Sequence, residues 1–495
     1  MGFFDGLKDH YGRLKFFING EWVESKSNEV FYDTDPGKGE EIAEVPIATE
    51  EEVEYAIESA YQAFKKWREV PFRDRADYIN RLRAKFEERH EALSKILSQD
   101  HGRAIRDSRG TLDRVIENIE SASGALYSFY KGEYVQQLAQ GIDCYMLWEP
   151  VGVFLIITPG NIPMHAWSSF VPYALACGCT VVVSPSWQCP LASEAVFRAC
   201  DEVGLPKGVL NLIHIGKKFE LNHRIITDKR IAGLGFIGSS AVGKMLYDLC
   251  GKLGKRASIN GNGKNYIVVE EDANIDEACV YLLRGCFGMS GQRCLGSDNV
   301  VIIGKIYEEL KEKFVEAAKR MKVGYGLLEE TEMGPMTTEE NKKRVINFIE
   351  KGVEEGAKLI LDGRGLKVEG YEKGYFLGPT IFEDVHPDME IAKIESFGPV
   401  ANLMRASSLD EAIEWINSKT EYGHSACLIT ESGRKARKFV KECNVGNIGI
   451  NVGIPQPYAF FPLGSKKESF YGIAKSRFDS VRLFLDQKTV TVRWA

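Results

Sequence analysis

The sequence predicts an α/β protein with more than one domain, and three observations support this prediction. Between residues 151 and 236, short runs of almost entirely apolar residues alternate with segments of helical periodicity. A second alternation of the same kind runs from residue 258 to about residue 462. Strands that are apolar throughout are typical of parallel sheets covered by helices on both faces, the doubly wound arrangement. The length of 495 residues also exceeds what one hydrophobic core usually organises.

Composition argues against several classes of function. A formal net charge of −7, a pI near 5.8 and the lack of a long Lys/Arg run argue against a nucleic-acid-binding surface. The eleven cysteines are scattered and include no Cys-x-x-Cys pair, so neither a disulfide framework nor a metal site is expected. No apolar run reaches the roughly 18 residues of a membrane span, and the N-terminal residues lack a signal-peptide pattern. We therefore expect a cytoplasmic protein that binds neither nucleic acid nor membrane.

The first 150 residues predict a hairpin, three helices and a projecting arm. A turn at Asn19-Gly20 joins two short strand-like runs, which is a strong hairpin signal. Amphipathic periodicity predicts helices over residues 49–67, 72–102 and 106–130. Residues 132–150 alternate in strand fashion around Gly141, outside the regular α/β rhythm, and are a candidate oligomerisation arm. The β-branched tail at 489–494 would be an aggregation-prone edge if unpaired, so we expect it to pair with another subunit.

In the first α/β block, predicted strands are separated by predicted helices. The strands are 151–157, 180–183, 209–214 and 231–236, and the helices include 166–178 and 194–204. Sheets of this kind bind ligands beyond the carboxyl ends of their strands. The common dinucleotide fingerprint Gly-x-Gly-x-x-Gly is absent, but Gly238-Ser239 leads a strand into a helix and would offer backbone N–H groups to a phosphate. Taken alone this signal is weak, because many helices begin with Gly-Ser.

The second block contains the cysteine on which the proposed chemistry depends. Cys294 lies between a predicted helix at 275–287 and a strand-like run at 299–303, on a turn rich in glycine and small residues. Such a turn can present a nucleophile, since glycine lets the backbone approach a ligand closely. The alternative is an ordinary buried cysteine, which the local sequence alone favours.

Four motifs occur in an order and at separations that resemble the aldehyde dehydrogenase superfamily over nearly the whole chain. They are Thr-Pro-Gly-Asn at 158–161, Phe-Ile-Gly-Ser at 236–239, Gly-Gln-Arg-Cys at 291–294 and Glu-Ser-Phe-Gly-Pro-Val at 395–400. Each motif alone is unspecific, whereas the ordered set is highly specific. The segments 455–461 and 486–491 look most like the methylmalonate-semialdehyde dehydrogenase branch, whose members acylate coenzyme A.

The resemblance implies two doubly wound parallel-sheet domains and a β oligomerisation arm. An NAD(P)-binding domain would comprise residues 1–127 and 151–258, and a catalytic domain residues 259–465. The arm at 128–150 and the tail at 479–495 would form the oligomerisation part. A homodimer or homotetramer is the implied assembly.

The implied chemistry follows from the properties of the residues. Cys294, as a thiolate, attacks the aldehyde carbonyl and forms a thiohemiacetal. The side-chain N–H of Asn161 and the backbone N–H of Cys294 form an oxyanion hole for the charge that develops on oxygen. Hydride transfer to the nicotinamide of NAD or NADP leaves a thioester on Cys294. Glu395 is expected to hold the nicotinamide ribose and Phe397 to lie against the ribose and nicotinamide; the alternatives are a surface carboxylate and a core aromatic.

The same resemblance implies further cofactor contacts, residue by residue. They are expected at the strand ends of the first block and at the helix start that follows them. The positions are Ile157, Thr158, Pro159, Ser184, Ser186, Trp187, Lys217, Phe236, Gly238, Ser239, Val242 and Gly261.

The first departure from the family pattern concerns the acyl acceptor. Members that hydrolyse the thioester usually carry a glutamate where this chain has the catalytic-position residue Asn260, in Asn-Gly-Asn-Gly-Lys. Asparagine cannot accept a proton near neutral pH, so the general base is lost from this position. A thiol needs less help than water, so transfer to coenzyme A is the leading prediction. The alternatives are a hydrolytic enzyme with another base and an impaired aldehyde- or dinucleotide-binding protein.

The second departure concerns the adenosine ribose. The usual Lys-Pro-Ser-Glu is replaced by Ser-Pro-Ser-Trp at 184–187, so both the ribose-binding lysine and the acid that would repel a 2′-phosphate are missing. Lys217 and Lys218 could neutralise such a phosphate. We therefore expect NADP to bind at least as well as NAD.

The third departure from the family pattern lies in the region expected to bind the aldehyde, where the candidate substrate-binding residues also lie. Gly160 replaces a tryptophan expected before the catalytic asparagine, which opens space there. Arg114 and Arg293 are candidates to hold a substrate carboxylate through bidentate hydrogen bonds, although for Arg114 the sequence favours the alternative of a helix-surface residue. The residues that could line a substrate tunnel, or equally belong to the core, are Met164, Trp167, Tyr458 and Phe460.

Overall fold

The structure is a computed structural model that describes residues 2–494, apart from the side chain of Leu126. Within the described residues the strands, in chain order, are β1 Phe16–Ile18, β2 Glu21–Val23, β3 Val30–Asp35, β4 Glu40–Pro46, β5 Tyr134–Ala139, β6 Ile142–Pro150, β7 Val153–Thr158, β8 Thr180–Pro185, β9 Leu210–Leu212, β10 Ile231–Ile237, β11 Arg256–Asn260, β12 Tyr266–Val269, β13 Asn299–Ile303, β14 Lys358–Leu361, β15 Thr380–Glu383, β16 Val400–Ala406, β17 Tyr422–Gly423, β18 Ser425–Ile429, β19 Asn447–Ile450, β20 Lys466–Lys467, β21 Phe470–Gly472 and β22 Leu485–Arg493.

The α-helices of the described chain are amphipathic or fully buried. They are α1 Glu50–Trp67, α2 Phe72–Glu88, α3 His90–His101, α4 Ile105–Phe129, α5 Pro163–Ser168, α6 Val171–Cys177, α7 Pro190–Asp201, α8 Phe219–Thr227, α9 Ser240–Lys252, α10 Ile275–Phe287, α11 Tyr307–Lys319, α12 Glu339–Glu354, α13 Glu390–Lys393, α14 Leu409–Ser418, α15 Gly433–Glu442 and α16 Val481–Phe484. Among the described helices, none is both long enough and apolar enough to cross a lipid bilayer.

The first sheet confirms the predicted doubly wound arrangement. Its eight strands follow the order β2-β1-β9-β8-β7-β10-β11-β21, and the five from β9 to β11 are parallel. The hairpin β1–β2 and the strand β21 close its edges in antiparallel fashion. Alternate residues of β7 enter two different cores: Phe154 packs with the α2–α7 side, and Leu155 with the α1, α8 and α9 side. Both faces of the sheet are therefore covered by helices.

The parallel strands of the first sheet end at a common edge. Ile157 of β7 is paired with Ser184 of β8 and with Phe236 of β10. Ile237 of β10 is paired with Asn260 of β11. This register brings residues from four distant parts of the sequence to one edge, where parallel α/β sheets bind ligands.

The second sheet has seven strands in the order β14-β15-β16-β13-β12-β18-β19. All neighbours are parallel except β14 and β15. On β12, Val268 packs into the core formed with α12, α14 and α15, while Val269 packs into the core formed with α10 and α11. Helices therefore cover both faces of this sheet too, and Cys294 lies on the connection from α10 to β13.

The predicted helix over residues 72–102 is two helices in the structure. Arg89 separates α2 from α3 with φ −94° and ψ 6°. Its guanidinium donates three hydrogen bonds, 3.0 to 3.2 Å long, to the Glu202 carboxylate beyond the end of α7. This contact is long-range in sequence, so helical periodicity alone could not reveal the break.

The tail has a strand partner within the chain. Strand β22 pairs with β6, from Leu485 opposite Pro150 to Arg493 opposite Ile142, and the expected pairing with another subunit stays a prediction. Trp494 adds a hydrogen bond of 2.6 Å from its indole Nε1 to Asp143. With β5 these strands form a three-stranded antiparallel sheet in the order β22-β6-β5. The arm thus provides within the chain a hydrogen-bonding partner for one edge of the tail strand.

Candidate active site

The turn that presents Cys294 has an unusual backbone. It follows α10 through a distorted 3₁₀ turn, in which Met289 and Ser290 have φ of 53° and 56°. Left-handed backbone is uncommon for residues other than glycine and is concentrated at functional sites. Gly291 has φ 69°, and a Cβ atom built on it would lie 1.9 Å from the carbonyl oxygen of Gly398. The cysteine turn therefore requires glycine at 291, because it contacts the backbone just after Phe397.

Side chains from other elements hold this turn in place. The Asn265 amide donates hydrogen bonds to the carbonyl oxygens of Cys294, at 2.8 Å, and Gly296, at 2.6 Å. The Gln292 side-chain oxygen accepts hydrogen bonds from the backbone N–H and the hydroxyl of Thr337, each 3.1 Å long. Sequence reasoning missed Asn265 and Thr337, because neither belongs to the motifs.

Asn161 lies beside the cysteine turn. It follows the carboxyl end of β7, and its side-chain nitrogen donates a hydrogen bond of 3.0 Å to the carbonyl oxygen of Gln292. Its own carbonyl oxygen accepts a hydrogen bond from the buried guanidinium of Arg103. An amide nitrogen has two N–H groups, so one remains for a ligand.

A cleft of about 410 Å³ lies beyond the common edge of the first sheet, and we call it the strand-end cleft. The structure brings many of the predicted residues to its wall: Pro159, Asn161, Ser186, Gly238, Ser239, Gly261, Cys294, Glu395 and Phe397. Gln188, Asn262, Asn341 and Arg344 also line it and were not predicted. Gln188 lies where a side chain at Gly160 would be, since a Cβ atom there would be 2.4 Å from its amide oxygen. The space expected at Gly160 is therefore filled.

The residues around the strand-end cleft fit a dinucleotide. The hydroxyls of Thr158 and Ser184 and both side-chain polar atoms of Asn260 are buried without a hydrogen-bond partner among the described residues. Buried polar groups are normally hydrogen-bonded, so such a group beside a cleft indicates a missing ligand or water. Ser239 caps the start of α9, where backbone N–H groups can bind a phosphate.

The carboxylate of Glu395 is fixed on the wall of this cleft. It accepts hydrogen bonds from the Asn262 side chain and, at 3.0 Å, from the Gly263 backbone N–H. Burial raises its pKa to about 7. Phe397 has φ 47°, and its carbonyl oxygen accepts a hydrogen bond of 3.2 Å from Arg344. Helix α12 thus supports the Glu395–Phe397 loop, a contact that no sequence motif indicated.

Some predicted cofactor residues lie behind the cleft or at its far end. Ile157 and Phe236 are buried in the core that supports the cleft, and Val242 packs against that core. Trp187 lies against Lys217, whose nitrogen is 4.0 Å from the centre of the indole ring. Lys217 also forms an ion pair of 2.9 Å with Glu340. The lysine predicted to meet a 2′-phosphate is therefore already paired with a carboxylate.

A second cavity of about 240 Å³ meets the strand-end cleft at Cys294 and Ile162, and we call it the arginine cavity. Its wall carries four arginines, Arg106, Arg114, Arg293 and Arg477. Among the described residues that line this cavity, Asp107 is the one with a carboxylate side chain. The cavity is therefore strongly positive, and the cysteine can be approached from two sides.

The two predicted carboxylate-binding arginines are in ion pairs. Arg114 bonds Glu117 at 2.6 Å and also lies 4.3 Å from the ring centre of Tyr458. Arg293 bonds Asp107 at 3.0 Å. Arg114 thus reaches the cavity wall, and the alternative of a plain helix-surface residue does not hold. Arg477 was missed, because no motif includes it.

The predicted tunnel residues are placed elsewhere. Met164 and Trp167 do not line the arginine cavity but are buried in the core of the first sheet, where Trp167 stacks on Phe86 with ring centres 5.5 Å apart. That core buries their apolar side chains. Tyr458 and Phe460 are exposed, with 61% and 52% of their surface accessible, on the segment outside the cavity.

The environment of Cys294 favours the neutral thiol in the structure described. Burial raises the pKa of this thiol to about 11, with a further increase from the nearby Glu395 carboxylate. The guanidinium of Arg477 acts in the opposite direction. Ten other cysteines are free, and nine of these are buried, with Cys144 half-buried on the arm. Cys294 is the half-buried thiol that lines a cavity.

Comparison with known proteins assigns the class. The aldehyde dehydrogenase family model matches residues 22–490, and the chain belongs to this family. It is an NAD(P)-dependent oxidoreductase that acts on aldehydes through a cysteine, as the sequence predicted.

Several individual relatives are similar to nearly the full chain. Malonate-semialdehyde dehydrogenase 2 of Geobacillus kaustophilus is 37% identical over 482 residues, covering 97% of this chain and 99% of the relative. Malonate-semialdehyde dehydrogenase 1 of Geobacillus thermodenitrificans is 38% identical over 483 residues, with the same coverage. The solved methylmalonate-semialdehyde dehydrogenase of Oceanimonas doudoroffii has a TM-score of 0.95 and 33% identity, covering 98% of this chain and 99% of that chain. A betaine aldehyde dehydrogenase of Staphylococcus aureus in complex with NAD+ has a TM-score of 0.92 and 27% identity, covering 97% and 94%.

Proposed function

We propose that the chain oxidises a short semialdehyde that carries a carboxylate and transfers the acyl group to coenzyme A. The observation that carries the acceptor is Asn260, which is buried at the end of β11 next to the cleft-lining Gly261 and cannot act as a base. The observation that supports the substrate class is the positive charge of the arginine cavity. Its described lining includes four arginines and one carboxylate. The printed names of the similar proteins, malonate- and methylmalonate-semialdehyde dehydrogenases, agree with this class.

The roles of the residues follow from their places. The Cys294 thiol releases its proton to solvent and attacks the aldehyde carbon as a thiolate, and the free N–H of Asn161 stabilises the resulting oxyanion together with the Cys294 backbone N–H. Thr158, Ser184, Ser186, Gly238, Ser239 and Glu395 would hold the cofactor on the strand-end cleft. When bound there, the nicotinamide ring supplies the hydride-accepting chemistry. The aldehyde reaches Cys294 from the arginine cavity, so substrate and cofactor lie on opposite sides of the thiol.

A hydrolytic reaction is the second candidate, and one observation favours it. Among the described residues that line the strand-end cleft, Glu395 is the one with a carboxylate side chain. Its pKa of about 7 suits a general base. The hydrogen bonds that Glu395 accepts from Asn262 and Gly263 hold its carboxylate on the cleft wall. A carboxylate fixed in this way suits the binding of a ribose better than proton transfer.

The deciding experiment measures NADH formation from carboxylated and neutral aldehydes with and without coenzyme A. We expect the carboxylated semialdehyde with coenzyme A to give the highest kcat/KM, and acyl-coenzyme A to appear in step with NADH. Equal rates without coenzyme A, with free acid as the product, would establish the hydrolytic enzyme instead.

For the cofactor, we propose that NAD is used and that NADP binds only when Lys217 leaves Glu340. The support is the ion pair between these two exposed side chains, beside Trp187. The variant Glu340→Gln should tighten NADP binding several-fold and leave NAD binding unchanged, measured by fluorescence titration of the cofactor-free protein. The matched variant Glu339→Gln removes the neighbouring charge without touching that pair. Tighter NADP than NAD binding by the unaltered protein would contradict this proposal and support the expectation from the sequence.

For assembly, we propose a homodimer or homotetramer built through the arm. All residues of β5 are exposed, including Tyr134 and Leu138, and the outer edge of β22 has no strand partner within the described chain. Exposed edges and apolar patches of this kind are typical of interfaces. Light scattering should give a multiple of 55.5 kDa, and Leu138→Asp should shift it toward the monomer.

For the domains and the cellular location, we propose the division expected from the sequence and a reducing cytoplasm. Separate pairs of hydrophobic cores around each sheet support an NAD(P)-binding domain of 1–127 and 151–258 and a catalytic domain of 259–465. The sheet of β5, β6 and β22 supports an oligomerisation part of 128–150 and 479–495. The eleven free thiols support the reducing compartment.

A further inference from the structure

A buried arginine without an acidic partner lines the arginine cavity. Only 1% of Arg477 is exposed, and the described residues form no ion pair with its guanidinium. Its Nε is buried without a hydrogen-bond partner among them. A buried charge is normally paired, since removal from water is costly without a counter-charge. An unpaired guanidinium on a cavity wall therefore indicates an anionic ligand.

The structure fixes this guanidinium through neutral acceptors. Arg477 donates one hydrogen bond to the carbonyl oxygen of Pro457 and one, 3.0 Å long, to Nε2 of His165. His165 must be neutral to accept it, and burial together with Arg477 holds the pKa of this imidazole well below its usual range. Neither acceptor neutralises the positive charge, and the fork retains N–H groups, including that of Nε, that no described residue accepts.

The backbone of Arg477 is also held in an unusual conformation. Its φ of 66° lies in the left-handed region, and its N–H donates a hydrogen bond of 3.1 Å to the carbonyl oxygen of Ser169. Such backbone persists where the surrounding structure over-determines it, and it clusters at ligand-binding positions. The side chain is thus pointed at the cavity from a rigid base.

The two other arginines considered for carboxylate binding differ in this respect. The positive charge of Arg114 is paired with the carboxylate of Glu117, and that of Arg293 with the carboxylate of Asp107. A substrate carboxylate would compete with those acids, whereas at Arg477 it would meet an uncompensated charge.

From these contacts we infer that Arg477 is the main specificity-determining residue for the substrate carboxylate, held in place by His165 as a positioning residue. The inference rests on the proposed function for the presence of that carboxylate. The carboxylate binds the open side of the guanidinium fork, which leaves the aldehyde end directed at Cys294 on the same cavity wall. Arg114 and Arg293 then provide a positive surrounding and secondary contacts.

The test compares Arg477→Gln with the unaltered enzyme on 3-oxopropanoate and on propanal, which has the same chain length without the carboxylate. We expect KM for 3-oxopropanoate to rise about 10- to 100-fold, with kcat and the propanal kinetics changing less than about threefold. The exposed Arg482→Gln is the matched control and should match the unaltered enzyme. Equal losses on both aldehydes, or no change in KM for 3-oxopropanoate, would overturn the role of Arg477.

Two further measurements keep the outcomes distinct. If the unaltered enzyme does not prefer 3-oxopropanoate to propanal, the proposed substrate class fails rather than Arg477 alone. If Arg477→Gln does not fold, a crystal structure of the unaltered protein with malonate replaces it. A malonate carboxylate bonded to Arg477 is expected, and a carboxylate bonded only to Arg114 or Arg293 would overturn the inference.

Discussion

The side-chain nitrogen of Asn161 donates a hydrogen bond of 3.0 Å to the carbonyl oxygen of Gln292, two residues before Cys294. This bond joins the first sheet to the cysteine turn, and it leaves the second N–H of the amide free for the proposed oxyanion. The position of the proposed oxyanion donor is therefore set by a bond to the turn that carries the proposed nucleophile.

Asn161→Ala should lower the rate of hydride transfer about 10²- to 10³-fold, because it removes one preorganised oxyanion donor. The measurement is the pre-steady-state rate of NADH formation. NAD binding serves as the control and should persist. A loss below about threefold with hydride transfer rate-limiting would make Asn161 a structural residue at the strand end.

Cys294→Ala should abolish dehydrogenase activity and leave NAD binding intact, since the thiol is the proposed nucleophile. Cys144→Ala is the matched control, because Cys144 is the other cysteine that is only half-buried and it lies on the arm. Its activity should equal that of the unaltered enzyme. Turnover by purified Cys294→Ala would remove Cys294 from its role.

Alkylation of Cys294 in the free enzyme should depend steeply on pH. The pKa of this thiol is raised to about 11, so at pH 7 nearly all of it is protonated and unreactive. The iodoacetamide rate, measured in Cys144→Ala, should rise about tenfold per pH unit between pH 7 and pH 9. A plateau already reached at pH 8 would mean that the resting cysteine is a thiolate.

Asn260 predicts the response to coenzyme A. Without a base to activate water, the unaltered enzyme should give a burst of NADH followed by slow turnover. Coenzyme A should raise the steady rate and leave the burst amplitude largely unchanged. Asn260→Glu should raise turnover without coenzyme A, provided its carboxylate reaches a water near the thioester.

Full turnover in water without a burst would contradict the acylating proposal. Glu395 would then be the first base to test, since its pKa is about 7. A base of this kind must lose its proton to act, so deacylation would fall about tenfold per unit as pH drops below 7 and level off above it.

Gly291→Ala should destabilise the protein by about 3 kcal/mol or more, because the new Cβ would overlap the Gly398 carbonyl oxygen and φ is positive. Gly251→Ala is the matched control within α9, where nothing lies within 4 Å of an added Cβ. It should be neutral or stabilising by up to about 1 kcal/mol. Urea unfolding measures the free energy of unfolding of both variants and of the unaltered protein. If Gly291→Ala were as stable as the unaltered protein, the close approach of residue 291 to the Gly398 carbonyl oxygen would be ruled out.

The sequence indicated those parts of the fold that depend on local pattern. The apolar strands β7, β8 and β10 and the hairpin at Asn19-Gly20 follow from residue periodicity and turn chemistry. The motifs likewise located the residues around Cys294, because motif order reflects a fold already known. The pairing of β22 with β6 was not anticipated, since an edge strand shows that it needs a partner but not which one.

The remaining parts of the site depend on contacts between distant segments. Arg477 lies 183 positions after Cys294 in the sequence and enters the cavity through a left-handed turn that no local rule anticipates. Gln188 fills the volume beside Gly160, although nothing in either neighbourhood signals the contact. Met164 and Trp167 were ambiguous for a related reason: an apolar side chain fits a core and a tunnel wall equally well.

The strand-end cleft and the arginine cavity share only Cys294 and Ile162 among their described lining residues. A substitution among the other residues of the proposed aldehyde-binding wall therefore leaves the lining of the proposed dinucleotide-binding wall chemically unchanged. Natural selection, or an engineer, can retune which aldehydes are accepted by altering segments such as 454–463 without rebuilding the redox half. Under the proposed assignment of the two walls, substrate range and cofactor binding are separately evolvable traits.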